Sequence, residues 1–533
     1  MNPRLVKETR FLLPAFGVTV LATLATSLIW RGYSALGALV VVFTVCCTLM
    51  GASSFGNEFQ YQTMPLLLSQ PLSRRSIWFE KMLVLGVAVA LAFAALLLCV
   101  HYFPGKESIE GWSGDPALGL LFFSGVALIP LGVFCTAPYW ALIGKNTVMA
   151  TVFSFVGPMV IWLVLMFLGW LFSLEASFEE HPFLYTIIPA AIYCGVLYRL
   201  GYAAFMRFQA VDSQAQEISL PAGLEAALAR PVNKLIPGFT GPLASLIRKE
   251  LQLQRASYLI AGLACVVALV EALIWELHHS EVTLVLMMMD VVLCVLIIPL
   301  ITAGVSVAEE RNLGVSGWQL ALPPSALKQW TAKLWTVLAT CALLGIVLPL
   351  IMVMAGNWVL LHEPIHFGAP DNWQTLLPHL DFVLGYLLLL GIGIFASSIS
   401  TNSFRAILLF FGLLAAAGCW IGLVSYSAAN VVRSLQESGS LNSYLPIGQL
   451  KLWSMRHQIT GNDLDWITMI ALVPLLALPA GLAHFLAFSN YRNGELIARR
   501  RWIHASVIVA AITGLALLML AFEFLLAASV GRS

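Results

Sequence analysis

The sequence predicts an all-α, polytopic helical membrane protein: about 13 transmembrane helices, in two homologous six-helix halves plus one extra C-terminal helix. Three observations carry this. The chain is 60% hydrophobic and only 10% charged, whereas an ordinary soluble domain carries about 25% charged residues. Its apolar residues gather into runs of roughly 20, the length a helix needs to cross a hydrocarbon core about 30 Å thick. A set of polar residues in the first half returns 252 positions later in the second.

Helices rather than a membrane β-barrel follow from the lack of alternation in runs such as "MLVLGVAVALAFAALLLCV", since barrel strands alternate over segments of about ten residues. Lipid-exposed backbone has no other way to satisfy its hydrogen bonds. The nine cysteines (46, 47, 99, 135, 194, 265, 294, 341 and 419) all fall in apolar runs without ligand spacing. They read as small core residues, not as disulfides or a zinc site. A formal net charge of +1 gives no reason to expect a nucleic-acid partner.

In chain order, the first apolar run starts at Phe11 and ends at Trp30 without a small-residue cleavage pattern, so it is expected to be a retained first helix. Five more spans follow at 35–53, 82–102, 117–140, 148–173 and 184–204. The second set lies at 258–277, 282–307, 334–354, 382–399, 407–427 and 466–488, and a last one at 504–528. A cytoplasmic N-terminus leaves only Arg31, Lys106, Arg433, Lys451, Arg456 and Arg532 of the 28 basic residues outside. The positive-inside rule selects that orientation, and an odd number of spans then puts the C-terminus outside. The basic triple Arg499, Arg500 and Arg501 before the last span agrees with it.

These spans divide the chain into a first six-helix unit (1–205), a cytoplasmic linker with an interfacial helix (206–254), a second six-helix unit (255–490), and a basic segment with the extra helix (491–533). The units align through Glu58, Pro71, Ser73, Trp78 and Lys81, which match Glu310, Pro323, Ser325, Trp330 and Lys333 without a gap. A Lys-Glu pair precedes the first span of each unit, at 7–8 and 249–250. Asn146 and Asn402 match in the short inner loop between the fourth and fifth spans. Duplication of a six-helix unit is the reading these matches support.

The repeated stretch "NEFQYQTMPLLLSQPLSRRSIWFEK" joins the second span to the third on the cytoplasmic side. It is apolar enough to lie on a membrane surface or on a partner. Pro71 and Pro323 break a helix, while Ser73 and Ser325 are placed to cap the next. Interfacial helices that merely lie on the bilayer would look similar.

In these residues the chain resembles the ABC-2 type permeases, the membrane subunits of ATP-driven exporters. Their signature runs from an acidic residue through Gly-Thr, a Leu-rich stretch, Pro and Ser-Arg to a Lys at the head of the third helix. Here it reads Glu58, Thr63, Leu66 to Leu68, Pro71, Ser73, Arg74 and Lys81, with Gln62 where Gly is usual. The second copy has Glu310, Gly314, Leu320, Pro323, Ser325 and Lys333, with Val315 for Thr and Ala326 for Arg. The resemblance implies that each loop carries a coupling helix that seats in a separate ATP-hydrolysing subunit. It implies two copies of that ATPase, with ATP and Mg bound there, in a prokaryotic inner membrane. No phosphate-binding G-x-x-x-x-G-K-[ST] loop occurs in this chain, so no cofactor is expected on it. Glu58, Glu310, Arg74 and Arg75 are expected to stand in water and meet the ATPase.

"HEPIH" (362–366) has the form of a zinc-protease motif, but Pro364 interrupts the helix that would align its histidines. Asp290, the deepest acidic residue in a span, is a candidate for a substrate path. "GASSFG" (51–56) and "GIGIFASSIS" (391–400) have the small residues that let helices pack closely, or that could line a path. The alternatives to an ATP-driven permease moving a lipophilic or amphipathic substrate outward are an ion-coupled carrier with two six-helix halves and an intramembrane enzyme. The first lacks midplane charges and broken helices, and the second lacks any constellation of nucleophile, base or metal.

Overall fold

The computed structural model describes residues 3–29, 33–102, 116–155, 157–158, 182–208, 242–278, 293–312, 314, 324–361, 373–437, 461–492, 502–514 and 518. These residues are almost entirely helical. In the first half they form α1 (Pro3–Ile29), α2 (Tyr33–Gln60), the short α3 (Met64–Leu68), α4 (Arg74–Tyr102), α5 (Pro116–Gly144), a helix that starts at Thr147, and α6 (Pro182–Arg207). The second half has α7 (Pro242–Leu253), α8 (Arg255–His278), α9 (Ile298–Asn312), α10 (Ala326–Ala342), α11 (Leu348–Leu361), α12 (Trp373–Ile399), α13 (Ser403–Glu437) and α14 (Gly461–Arg492). Helix α15 (Trp502–Gly514) follows.

Among the described residues seven helices are long and apolar enough to cross a membrane, or eight if the pair α7 and α8, bent by 53°, is one broken span. The chain is thus a helical membrane-type protein, while the expected count of thirteen is not reproduced within these residues. Asp290, Pro323, "HEPIH" and most of the linker lie outside them.

Elements at matching places in the two halves of the chain make matching contacts. In the first half α2 packs on α5, α5 on α6, and α1 on α4; in the second, α9 packs on α12, α12 on α14, and α7 and α8 on α10 and α11. The halves meet where α1 lies along α13. Small residues make these approaches possible: a Cβ on Gly51 would come within 2.5 Å of Val133 Cγ1, and one on Gly393 within 2.8 Å of Ala303 Cβ. Packing is therefore a sufficient reason for both small-residue stretches.

The halves also differ. Helix α1 runs unbroken past Leu12, whereas its counterpart breaks at Gln254 between α7 and α8. Gln254 is buried, its amide reaches Thr302 O at 3.3 Å, and Ser257 Oγ lies 2.9 Å from Thr302 Oγ1. The second half also carries two π-turns, Leu293–Ile297 and Leu343–Val347, that pack on each other.

Candidate functional site

Each half carries a buried cluster of charge, one at the base of the loop between α2 and α4 and the other between α9 and α10. In the first half Lys81, near the start of α4, places Nζ 2.7 Å from Glu8 Oε2, 3.1 Å from Glu58 Oε1 and 3.2 Å from Ser54 O. Lys7 adds a second cation, 3.1 Å from the same Glu58 oxygen. The Thr63 hydroxyl donates to the other oxygen, Glu58 Oε2. The ring of Phe55 lies 5.4 Å from Lys81 Nζ.

The second half rebuilds this from equivalent residues. Lys333 Nζ lies 2.6 Å from Glu250 Oε1, 2.5 Å from Glu310 Oε1 and 3.3 Å from Ser306 O, and Lys249 reaches Glu310 Oε1 at 2.6 Å. Glu310 Oε2 accepts no hydrogen bond among the described residues, and the sequence has Val315 at the position of Thr63. In both clusters two carboxylates face one buried and one half-exposed ammonium. Burial of ions is tolerated when charges pair in this way and carbonyls take the remaining protons.

This corrects the expectation that Glu58 and Glu310 stand in water. Their side chains are 2% and 1% exposed, and those of Lys81 and Lys333 are 2%. The acidic and basic ends of the motif bind each other inside the fold instead of reaching outward. The third corner is Glu8 or Glu250, the second residue of each Lys-Glu pair. Helix α7 therefore does in the second half what the start of α1 does in the first.

Arg74 needs the same correction. Its guanidinium turns inward and donates to Met206 O at 2.6 Å, which ties the head of α4 to the end of α6. The second half has Ala326 there and makes an equivalent tie with other atoms: Tyr491 Oη donates to Gln329 Oε1 at 2.9 Å. Beside these ties a Trp forms the packing surface. Trp78 lies against Phe55, Tyr202 and Phe205, and Trp330 against Phe488 and Tyr491.

Above the first cluster the chain turns sharply. Gln62 has φ 55, its N–H donates to Phe59 O at 3.1 Å, and Thr63 N–H donates to Glu58 O at 2.9 Å. This is a left-handed helix end of the kind glycine favours. Gly314, at the matching position, has φ 69 and donates to Arg311 O at 3.1 Å. Pro65 suits the first turn of α3, which buries Met64 and Leu67 and leaves Leu66 67% exposed. Pro71, Ser73 and Arg75 are exposed beyond it, with Arg75 over the ring of Phe79. The Ser73 hydroxyl accepts from Ser76 N–H at 3.3 Å, and that of Ser325 caps α10 through Lys328 N–H at 3.5 Å.

Asn146 and Asn402 are helix caps. Their side-chain oxygens accept from Val148 N–H and Arg405 N–H, each at 2.8 Å, at the starts of the helix that begins at Thr147 and of α13. Arg405 also crosses between the halves, with its guanidinium 5.0 Å from the ring centre of Tyr61. Deeper between the halves lies a cavity of about 30 Å³ with apolar walls that include Thr48, Leu49, Thr151, Leu300, Ile407 and Phe411.

No family model, no curated protein and no solved structure matches this chain.

Proposed function

We propose that this chain is the membrane permease of an ATP-driven ABC transporter. It has thirteen spans in a prokaryotic inner membrane with the N-terminus in the cytoplasm, and exports a lipophilic or amphipathic substrate. ATP and Mg bind on a separate ATPase, present in two copies, one for each loop. The chain itself is not an enzyme. The observation that carries the reading is the twofold occurrence of one mount: a Lys–Glu–Glu cluster that locks the loop base to α1, α2 and α4 in the first half and to α7, α9 and α10 in the second.

A loop that transmits force needs a base that does not yield and a tip that a partner can hold. The clusters, with the ties at Arg74 and Gln329, supply the base. Leu66, Pro71, Ser73 and Arg75 supply the tip in the first half, a compact apolar and cationic face. The coupling role thus moves from Glu58 and Glu310, which hold the mount, to the exposed residues above them. Apolar walls between the halves suit a lipophilic substrate, and a space of about 30 Å³ holds roughly one water, so the path would be closed in this conformation.

The test is a photo-reactive residue at position 66 in native membranes. It should cross-link to an ATP-binding polypeptide, and the same probe at Leu83, exposed on α4, should not. Cross-links to lipid alone from position 66 would return the loop to a surface-lying helix.

A further inference from the structure

We propose that α15, which has no counterpart among the described residues of the first half, positions the inner loop of the second half through His504 and Asn490. The proposal rests on the permease reading for its consequence in transport, and on geometry alone for the positioning.

Asn490 lies near the end of α14 and is 1% exposed. Its amide nitrogen donates to Ser398 Oγ at 3.4 Å, which leaves its oxygen facing His504 Nδ1 at 2.9 Å. The imidazole is therefore the donor, from Nδ1–H. Ser398 Oγ in turn donates to Phe395 O at 2.7 Å, so the donors run one way from α15 into α12. At Ser398 the relay meets α9: Arg311 donates to Ser398 O and, at 3.3 Å, to Ser400 O. Arg311 directly follows Glu310 of the buried cluster. Ser397 reinforces the contact, accepting from Val307 N–H at 3.1 Å and Ala308 N–H at 2.9 Å and donating to Gly304 O at 2.8 Å. A hydroxyl thus bridges the two ends of one helical hydrogen bond in α9.

The first half is built differently at the same places. By the spacing that matches Tyr202 and Phe205 to Phe488 and Tyr491, Asn490 corresponds to Ala204. By the spacing of the two capping asparagines, Ser398 corresponds to Leu142, and by that of the buried glutamates Arg311 corresponds to Phe59. Leu142 and Phe59 are buried, so among the described residues this junction is apolar in the first half and polar in the second, where α15 joins it. A buried Asn is costly unless its amide is satisfied, and His504 supplies part of that. Helix α15 is also anchored, because Ala505, Ile508 and Ile512 are buried along one face. The inner loop at 400–402 is thereby held by a chain of contacts with no equivalent at 145–146 among the described residues.

The test reads the loop directly. Thr401, exposed in that loop, is replaced by Cys, and labelling by a polar maleimide is timed in inside-out vesicles. The parent protein, with its cysteines in helices, serves as the blank. His504→Ala and Ser398→Ala are each expected to speed labelling at 401 by about fivefold, roughly the effect of one lost hydrogen bond on a local opening equilibrium. His504→Asn keeps a donor near Nδ1 and should leave the rate at that of the parent. Ile508→Ala loosens packing one turn away and should not reproduce the effect, and Lys145→Cys in the first half should label at one rate in all backgrounds. Unchanged labelling in both His504→Ala and Ser398→Ala, or an equal rise with Ile508→Ala, overturns the proposal. Transport per ATP should fall with His504→Ala. If labelling shifts but no ATP-dependent transport exists, the permease reading fails while the positioning stands.

Discussion

Lys81 Nζ lies 3.1 Å from Glu58 Oε1, and neither side chain is more than 2% exposed. Two residues that a motif would assign to a docking surface are thus partners in a buried charge cluster, together with Glu8. The same relation holds between Lys333, Glu310 and Glu250.

Removal of the buried cation should do more harm than removal of either anion. Lys81→Met leaves Glu8 and Glu58 buried and facing each other, and is expected to destabilise by about 3 to 5 kcal/mol. Glu58→Gln keeps hydrogen bonding and leaves Glu8 to pair with Lys81, so its cost should be clearly smaller. Thermal unfolding of the purified protein in detergent ranks the two. Equal midpoints would mean that the cluster does not hold the loop base.

The tip should behave in the opposite manner. Leu66→Ser and Arg75→Gln change exposed side chains, so stability should move by less than about 0.5 kcal/mol. The permease reading predicts that binding of its ATPase weakens for both, with the salt dependence of binding reduced for Arg75→Gln because a screened charge is lost. Co-purification across a salt series beside unfolding curves separates contact from fold.

Gln62 holds a conformation that costs a non-glycine residue about 1 to 2 kcal/mol. Gln62→Gly should therefore stabilise the first half, and Gly314→Ala should destabilise the second by a similar amount. A shift of the same sign for both variants would contradict the left-handed turn.

Arg405 over Tyr61 links the second half to the first at the loop end. Such contacts are worth about 0.5 to 2 kcal/mol, so Tyr61→Leu should loosen the halves. The expected readout is faster proteolysis in the segment between them, and an unchanged rate would show that the ring carries no load.

Much of this arrangement was legible in the residues. Helicity and membrane character followed from composition and run length, and the repeat from Glu58, Trp78 and Lys81 against Glu310, Trp330 and Lys333. The burial of those charges was not legible, because the third member of each cluster comes from a different spacing. Glu8 and Glu250 are 242 positions apart, not 252, and look in sequence like ordinary flanks of a span. Charged residues beside an apolar run normally mean the water boundary; here they mark where three helices meet. Arg74 misled for a related reason, since a backbone carbonyl such as that of Met206 leaves no trace in side-chain patterns. Gln62 could be placed only through its partner Gly314.

The most direct test of the permease reading is purification of the intact chain from its native membrane, followed by reconstitution into vesicles with whatever subunits accompany it. The reading predicts an ATP-hydrolysing subunit in two copies per chain, and transport of a lipophilic compound that stops when nucleotide is withdrawn. Transport that persists on an ion gradient alone, with no ATPase in the preparation, would contradict it.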